Sequence, residues 1–358
     1  MPISFRNRTL VFSNFFIGLL LFSCHHKDNP IKPQKITTVY ACGYDSKGGS
    51  TIANYWKQDS VSILSKGRSH LTANALYVDK KDVYITGNEY TNYSSHIPLY
   101  WKNGQEVKLG NDNGDAYTTD IYVSNSDVYI SGYVPLGIGQ DGAFQNMAVY
   151  WKNGVQIPLT NGKDYAWASS IYVSGIDIYI AGYRNVGSLS KPISRALYWK
   201  NGQEVLLGNG QYNSYANSVY VDGNDVYVAG YELTSSGVGI AKYWKNGIEV
   251  ILTSSIGMSE AKKILISEGR IYIAGYERTT GKSIARYWKD GKSIALTDGI
   301  NDASALSISV AGTDIYVAGY EYDTETNHPV ATYWKNGQAV RLSDGNNYAA
   351  ITAIYALR

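Results

Sequence analysis

One tryptophan recurs seven times between residue 38 and the C-terminus, always as the second member of a Tyr-Trp pair. These are Trp56, Trp101, Trp151, Trp199, Trp244, Trp288 and Trp334, spaced 44 to 50 residues apart. Around each lies a core of the form DVYVAGY…AKYWKNGIEVILT. Self-similarity at this period belongs to propellers, solenoids or arrays, because one unit cannot bury both of its faces alone. The repeat runs unbroken, so the chain reads as one large domain rather than two.

Each copy divides into four strand-like runs, termed a, b, c and d. In the fifth copy they are Ser218–Val221, Asp225–Tyr231, Ala241–Lys245 and Ile248–Thr253. Asn-Gly separates c from d at 103–104, 153–154, 201–202, 246–247 and 336–337, and Asp290-Gly291 does so in the sixth copy. That dipeptide between β runs signals a two-residue hairpin, since both central residues accept positive φ. Gln58-Asp59 departs from the rule in the first copy. The a–b joint is equally tight. Four antiparallel strands in a meander, repeated around a ring, predict an all-β fold: a seven-bladed β-propeller of four-stranded blades. The chain enters at a b run (Thr38–Tyr44) and leaves at an a run (Ile351–Leu357). With a innermost, the last strand completes the blade begun by the first three. The ring then closes without exposed edges. The 33 tyrosines and 36 glycines suit strands joined by turns.

The layout resembles WD-type propeller repeats, in which a tryptophan ends strand c and a turn leads to d. It is also similar to the bacterial extracellular repeats called HAF, which join a small residue, a strand, a glycine and an aromatic-Trp pair. The resemblance covers residues 38–358 and implies the fold, not a ligand.

Residues 1–23 stand apart. Arg6 and Arg8 precede the apolar stretch Leu10–Ser23, too short to span a bilayer comfortably and suited to an export signal. It ends in Leu21-Phe22-Ser23-Cys24, which resembles the lipobox of bacterial lipoproteins. The resemblance implies cleavage before Cys24 and lipid on that cysteine, which places the mature chain at a membrane of the cell envelope. Residues 24–36, with prolines and charges and no repeat, read as a tether, leaving 37–358 as the propeller. The other cysteine, Cys42, occupies a column that elsewhere holds Thr86, Ser131, Ala181, Ala229, Ala274 and Ala318. A small buried strand residue is expected there. Losing Arg6 and Arg8 with no acid takes the formal charge from +2 to 0. A neutral surface offers no general attraction to nucleic acid.

Length variation is confined to one connection. From the c–d glycine position to the next a-strand landmark is 18 residues in every copy, whereas the interval from the GY position to the YW tyrosine runs 11, 12, 17, 15, 12, 11 and 13. In a meander the b–c and d–a connections emerge on one face and the tight turns on the other. Loops that vary on a rigid scaffold are where recognition usually sits. The expected binding surface is therefore the b–c/d–a face, above all over the third and fourth blades. Its aromatics outside the consensus are Tyr93, Tyr117, Phe144, Tyr165, Trp167, Tyr212, Tyr215 and Tyr348. They suit stacking on sugars or anchoring a protein partner. The competing expectation is that they pack as small clusters beneath the crossovers.

Catalytic signatures are weak. Asp45, Glu89, Glu232, Glu277 and Glu321 follow the GY or GN of strand b, and Lys242 and Arg286 precede a YW, so cross-strand ion pairing is the simple account. His70, His96 and His328 fall on separate blades, and neither zinc nor calcium-hand spacing occurs, so no metal or other cofactor is expected. The functional expectation is a non-catalytic binding or scaffolding module, monomeric, for an envelope protein or glycan. The alternative is a carbohydrate-active enzyme, a lyase or glycosidase. It needs two carboxylates, or a base and a cation, at the channel mouth.

Overall fold

The computed structural model describes residues 36–358 apart from 59, 92–94, 111–114, 140, 141, 143, 189, 190, 254–256 and 280. The export stretch, Cys24, the tether as far as residue 35, and Tyr93 lie outside the described residues. Ile36–Arg358 is a compact unit of its own.

The described residues form twenty-eight strands, numbered β1 to β28 in chain order, in seven four-stranded antiparallel sheets. Blade one is completed from both ends of the domain. The C-terminal β28 (Tyr348–Leu357) pairs with β1 (Thr38–Lys47), followed by β2 (Ser50–Lys57) and β3 (Ser60–Ile63). Blades two to seven each run a, b, c, d in sequence. The seven a strands line the central cavity, so a is innermost and the ring closes by backbone pairing.

One face is uniform because a single clasp recurs. At the c–d turn of blade two, Asn103 and Gly104 take φ of 50° and 77°. Asn103 Oδ1 accepts the Val83 N–H at 2.9 Å and its Nδ2 donates to Asp82 at 2.8 Å, pinning the turn to strand b. Lys102 completes the clasp, 3.3 Å from Asp82 and over the Tyr84 ring. The same arrangement returns at Asn153, Asn201, Asn246 and Asn336. In blade six Asp290 accepts from the Ile271 N–H and from Arg270. Insertions on this side would break side-chain and backbone bonds together, which explains why none occur.

The core is divided. Its seven apolar clusters each join two neighbouring blades. Each YW tryptophan is a wedge between sheets: Trp101 of blade two packs on Cys42, Ala53 and Leu64 of blade one, and Trp244 on Ala181, Ala196 and Leu207 of blade four. Cys42 is wholly buried in that small-residue column, and burial pushes its thiol pKa up to about 12. The wedge position needs small partners, since large rings fill the space that twisted sheets leave between them.

Every a strand bulges at one place, leaving Asn74, Thr119, Ser169, Asn217, Lys262, Leu306 and Thr352 outside the pairing register. The bulge presses a carbonyl onto the glycine of the GY pair. A Cβ on Gly132 would lie 1.9 Å from the Tyr117 oxygen. Several bulged side chains then tie blades together. Asn74 donates to the Thr118 carbonyl, Thr119 to Ala168, Asn217 to Ala261 and Thr352 to Ala73, each at 2.8 Å.

Candidate functional site

The two longest b–c insertions fold as strand, not loop. In blade three β9 (Asp127–Ile138) and β10 (Phe144–Lys152) run past the blade, with Ile138 opposite Phe144. In blade four β13 (Asp177–Ser188) and β14 (Lys191–Lys200) do the same, with Val186 opposite Ile193. Hairpin pairing satisfies the backbone groups that a long loop would leave to water. Leu136, Ile138 and Phe144 stand exposed at 47%, 65% and 68%, an apolar rim on the blade-three hairpin. The parallel bridge Asn146–Tyr165 ties that hairpin to the following d–a connection.

The remaining aromatics are placed differently from one another. Tyr117, Trp167 and Tyr215 are the first or second residues of their a strands, where the sequence suggested loops; the inner strands run on past the bulge at that end. Each lies beside the GY tyrosine of its own blade. Tyr117 stacks on Tyr133 (4.5 Å, 6°), Trp167 on Tyr183 (6.2 Å, 10°) and Tyr215 on Tyr231 (4.8 Å, 23°). Neighbouring blades connect them, Tyr133 to Trp167 at 3.7 Å and Tyr183 to Tyr215 at 4.8 Å. Tyr90 and His96 extend the run on the blade-two side. The result is an arc of eight rings across blades two to five, stacked or tilted at five junctions and edge-on at Tyr90–His96 and Tyr183–Tyr215. His96 is fixed within it by Asp115 at 3.0 Å and by the Tyr117 hydroxyl at 2.8 Å. Burial raises the Tyr117 phenol to about 12. Tyr165 lies near Tyr183, and Tyr212 is partly buried beside Gln211. Tyr348 is half exposed against His328 on the opposite side of the ring. Tyr212, Tyr348 and Phe144 do not join the arc.

The b-strand acids pair across strands in two blades, Glu232 with Lys242 at 3.3 Å and Glu277 with Arg286 at 2.9 Å, whereas Glu89 pairs with Arg68 of the preceding d–a connection at 2.7 Å. Desolvation instead raises Asp45 and Glu321 above the usual carboxylate range. Among the described residues no group of three or more His, Cys, Asp or Glu side chains is placed to hold a metal ion.

The inner strands carry residues that the aromatic reading passed over. Asp120 of blade three and Lys263 of blade six meet at 2.9 Å, 143 residues apart in sequence. Beside them Lys262 pairs with Glu260, which also accepts the Tyr276 hydroxyl at 2.7 Å. Five a-strand tyrosines, Tyr77, Tyr122, Tyr172, Tyr220 and Tyr355, line the same cavity. Column-by-column comparison of the repeats carries the signal for the charged four, because they replace neutral residues.

No protein-family model matches this chain, and no curated protein does. Solved structures do. The β-propeller domain of the Trilobed protease from Pyrococcus furiosus is similar with a TM-score of 0.55 and 11% identity, over 87% of this chain and 93% of that one. An acylaminoacyl peptidase from Pyrococcus horikoshii gives 0.55 and 15% identity, over 87% of this chain and 51% of that one. An acylaminoacyl peptidase bound to Z-Gly-Gly-Phe-chloromethyl ketone gives 0.55 and 13% identity over 87% and 51%. This chain thus spans about half the length of the acylaminoacyl peptidases. The Trilobed protease propeller has an open velcro topology, whereas β28 and β1 here share one sheet. At such identities the likeness is one of fold: this chain is a closed seven-bladed β-propeller similar to those of peptidases.

Proposed function

We propose that this is an exported, lipid-anchored propeller that acts as a non-catalytic binding module for an envelope protein. The observation that carries the reading is the pair of hairpins over blades three and four, with Leu136, Ile138 and Phe144 held out on a rigid sheet. Contiguous apolar side chains fixed on strands suit a protein partner, whose own apolar residues can cover them. The ring arc argues against a glycan as principal ligand, because sugar stacking needs free ring faces and Tyr117, Tyr133, Trp167, Tyr215 and Tyr231 each stack on a neighbouring ring. A lipid on Cys24 accounts for placement at the membrane. An enzyme would draw on Asp120 and Glu260, and each is already held by a lysine.

The test places a photo-crosslinking residue at Phe144 in the full-length chain within its own envelope. A single protein adduct is expected, and Leu136→Asp with Ile138→Asp should abolish it without moving the thermal midpoint. An adduct that survives both substitutions refutes the site. A Phe144 adduct that is a glycan with no polypeptide in it refutes the partner class.

A further inference from the structure

The inner strands enclose a cavity of about 270 Å³. Around it, the residue after each bulge has a repeated structural task. Ser170 Oγ accepts the Val219 N–H of the next blade, Ser218 that of Ile264 and Ser307 that of Ile354, at 3.2 to 3.4 Å. Ala75 and Ala353 fill the same column in blades two and one. A small residue therefore suffices for the ring. Blades three and six depart from it with Asp120 and Lys263, which reach toward each other from three blades apart.

Such a pair is poor value for stability alone, because desolvating two charges commonly outweighs their attraction. Asp120 is saturated by the N–H groups of Ile121 and Ile171, the Ser170 hydroxyl and Lys263. It anchors the ammonium, and Lys263, 35% exposed and lining the cavity, keeps further N–H donors. Deeper in, the inner tyrosines follow the ring's symmetry. Tyr77–Tyr122, Tyr122–Tyr172 and Tyr172–Tyr220 lie 4.6 to 4.8 Å apart and tilt by 47° to 50°, close to one seventh of a turn. Leu265 and Ser309 take their place in blades six and seven. Phenol hydroxyls both donate and accept. The two lysines and two carboxylates of this region sum to zero charge, so a charged guest would be unbalanced.

We propose that the central channel is a pocket for a small, uncharged, hydroxyl-rich molecule, a neutral sugar of one or two rings, held by Lys263 and the inner tyrosines. Its volume lies just below the range of about 300–1,000 Å³ that houses drug-sized ligands. The pocket is distinct from the hairpin face and does not depend on the protein partner proposed above.

Saturation-transfer NMR on the full-length chain tests it with glucose, galactose, N-acetylglucosamine and their disaccharides, alongside the anion glucuronate and the cation choline. Binding of at least one neutral sugar is expected. The double variant Asp120→Ser with Lys263→Ser restores the residue that three other blades carry, so it should fold and weaken that binding at least tenfold (about 1.4 kcal/mol). Should it fail to fold, Tyr172→Phe, which removes one hydroxyl and no ring, is the second probe and should weaken binding severalfold. No response from any neutral sugar, a response to the charged probes alone, or full affinity in the folded variants overturns the proposal. None of these variants should alter the Phe144 adduct.

Discussion

Adding one methyl group to strand b should be among the most damaging small changes this protein can receive. In all seven blades the strand-b glycine of the GY pair (Gly87-Asn88 in blade two) lies under a carbonyl of the bulged inner strand, and an added Cβ would sit 1.9 to 2.0 Å from that oxygen. For Gly132→Ala the obstacles are the Tyr117 oxygen at 1.9 Å and the Trp151 ring at 2.8 Å. Reaching even 3.0 Å requires the carbonyl to withdraw by about 1.1 Å, and Thr118, bonded to Gly87 and Asn88, resists that movement. Losing about two ladder hydrogen bonds removes about 2 kcal/mol. Overpacking against a fixed tryptophan adds about 1–3 kcal/mol. The sum, about 3–5 kcal/mol, should lower the thermal midpoint by about 6–15 °C. Gly154→Ala is the control. Its φ of 83° imposes strain, but nothing lies within 4 Å of the added atom. That change should remove only about 1–2 kcal/mol. Differential scanning calorimetry of the two variants decides the matter. A Gly132→Ala midpoint equal to or above that of Gly154→Ala would refute the claim that the bulge selects glycine.

Three further outcomes follow from the same geometry. Truncation before Tyr348 removes the strand that pairs with β1 and buries Ile351 and Ile354, and should abolish the single cooperative melt seen by circular dichroism. Trp199→Phe should cost about 1–2 kcal/mol and Trp199→Ala about 3–5 kcal/mol in urea unfolding, because the buried indole N–H has no protein acceptor to lose and packing is the whole effect. For pH, the clasp carboxylates Asp82, Asp127 and Asp177 are held below their ordinary range, first by an asparagine amide and then by a lysine. A depressed folded-state pKa stabilises above the unfolded value near 4 and is lost as pH falls through the folded one. The urea midpoint should hold from pH 7 to about 5 and fall below about 4. Glu321, raised by burial, has the opposite sign, so Glu321→Gln should increase stability at neutral pH.

Much of the site was illegible for a definable reason. The interval lengths picked out blades three and four, and those blades carry the two extended hairpins. Nothing in the intervals says that an insertion between two strands will lengthen both instead of looping. Tyr133, Tyr183 and Tyr231 belong to the consensus, so nothing in the repeat distinguishes them, yet their rings lie against Tyr117, Trp167 and Tyr215. The non-consensus aromatics stood out by composition, yet composition does not tell a free ring face from a stacked one.

Sequence alone determined the parts that are local and periodic. Asn-Gly imposes the c–d turn because both residues accept positive φ, the tryptophan spacing counts the blades, and the chain's entry at b and exit at a requires the ends to meet. Tertiary structure decided everything that depends on two copies meeting. Asp120 and Lys263 sit 143 residues apart in the third and sixth copies, and only the curvature of a closed seven-membered ring brings an ammonium from blade six to a carboxylate in blade three. A repeat places each residue within its own blade, whereas contacts across the channel are set by ring radius and rotamer, which no single copy contains.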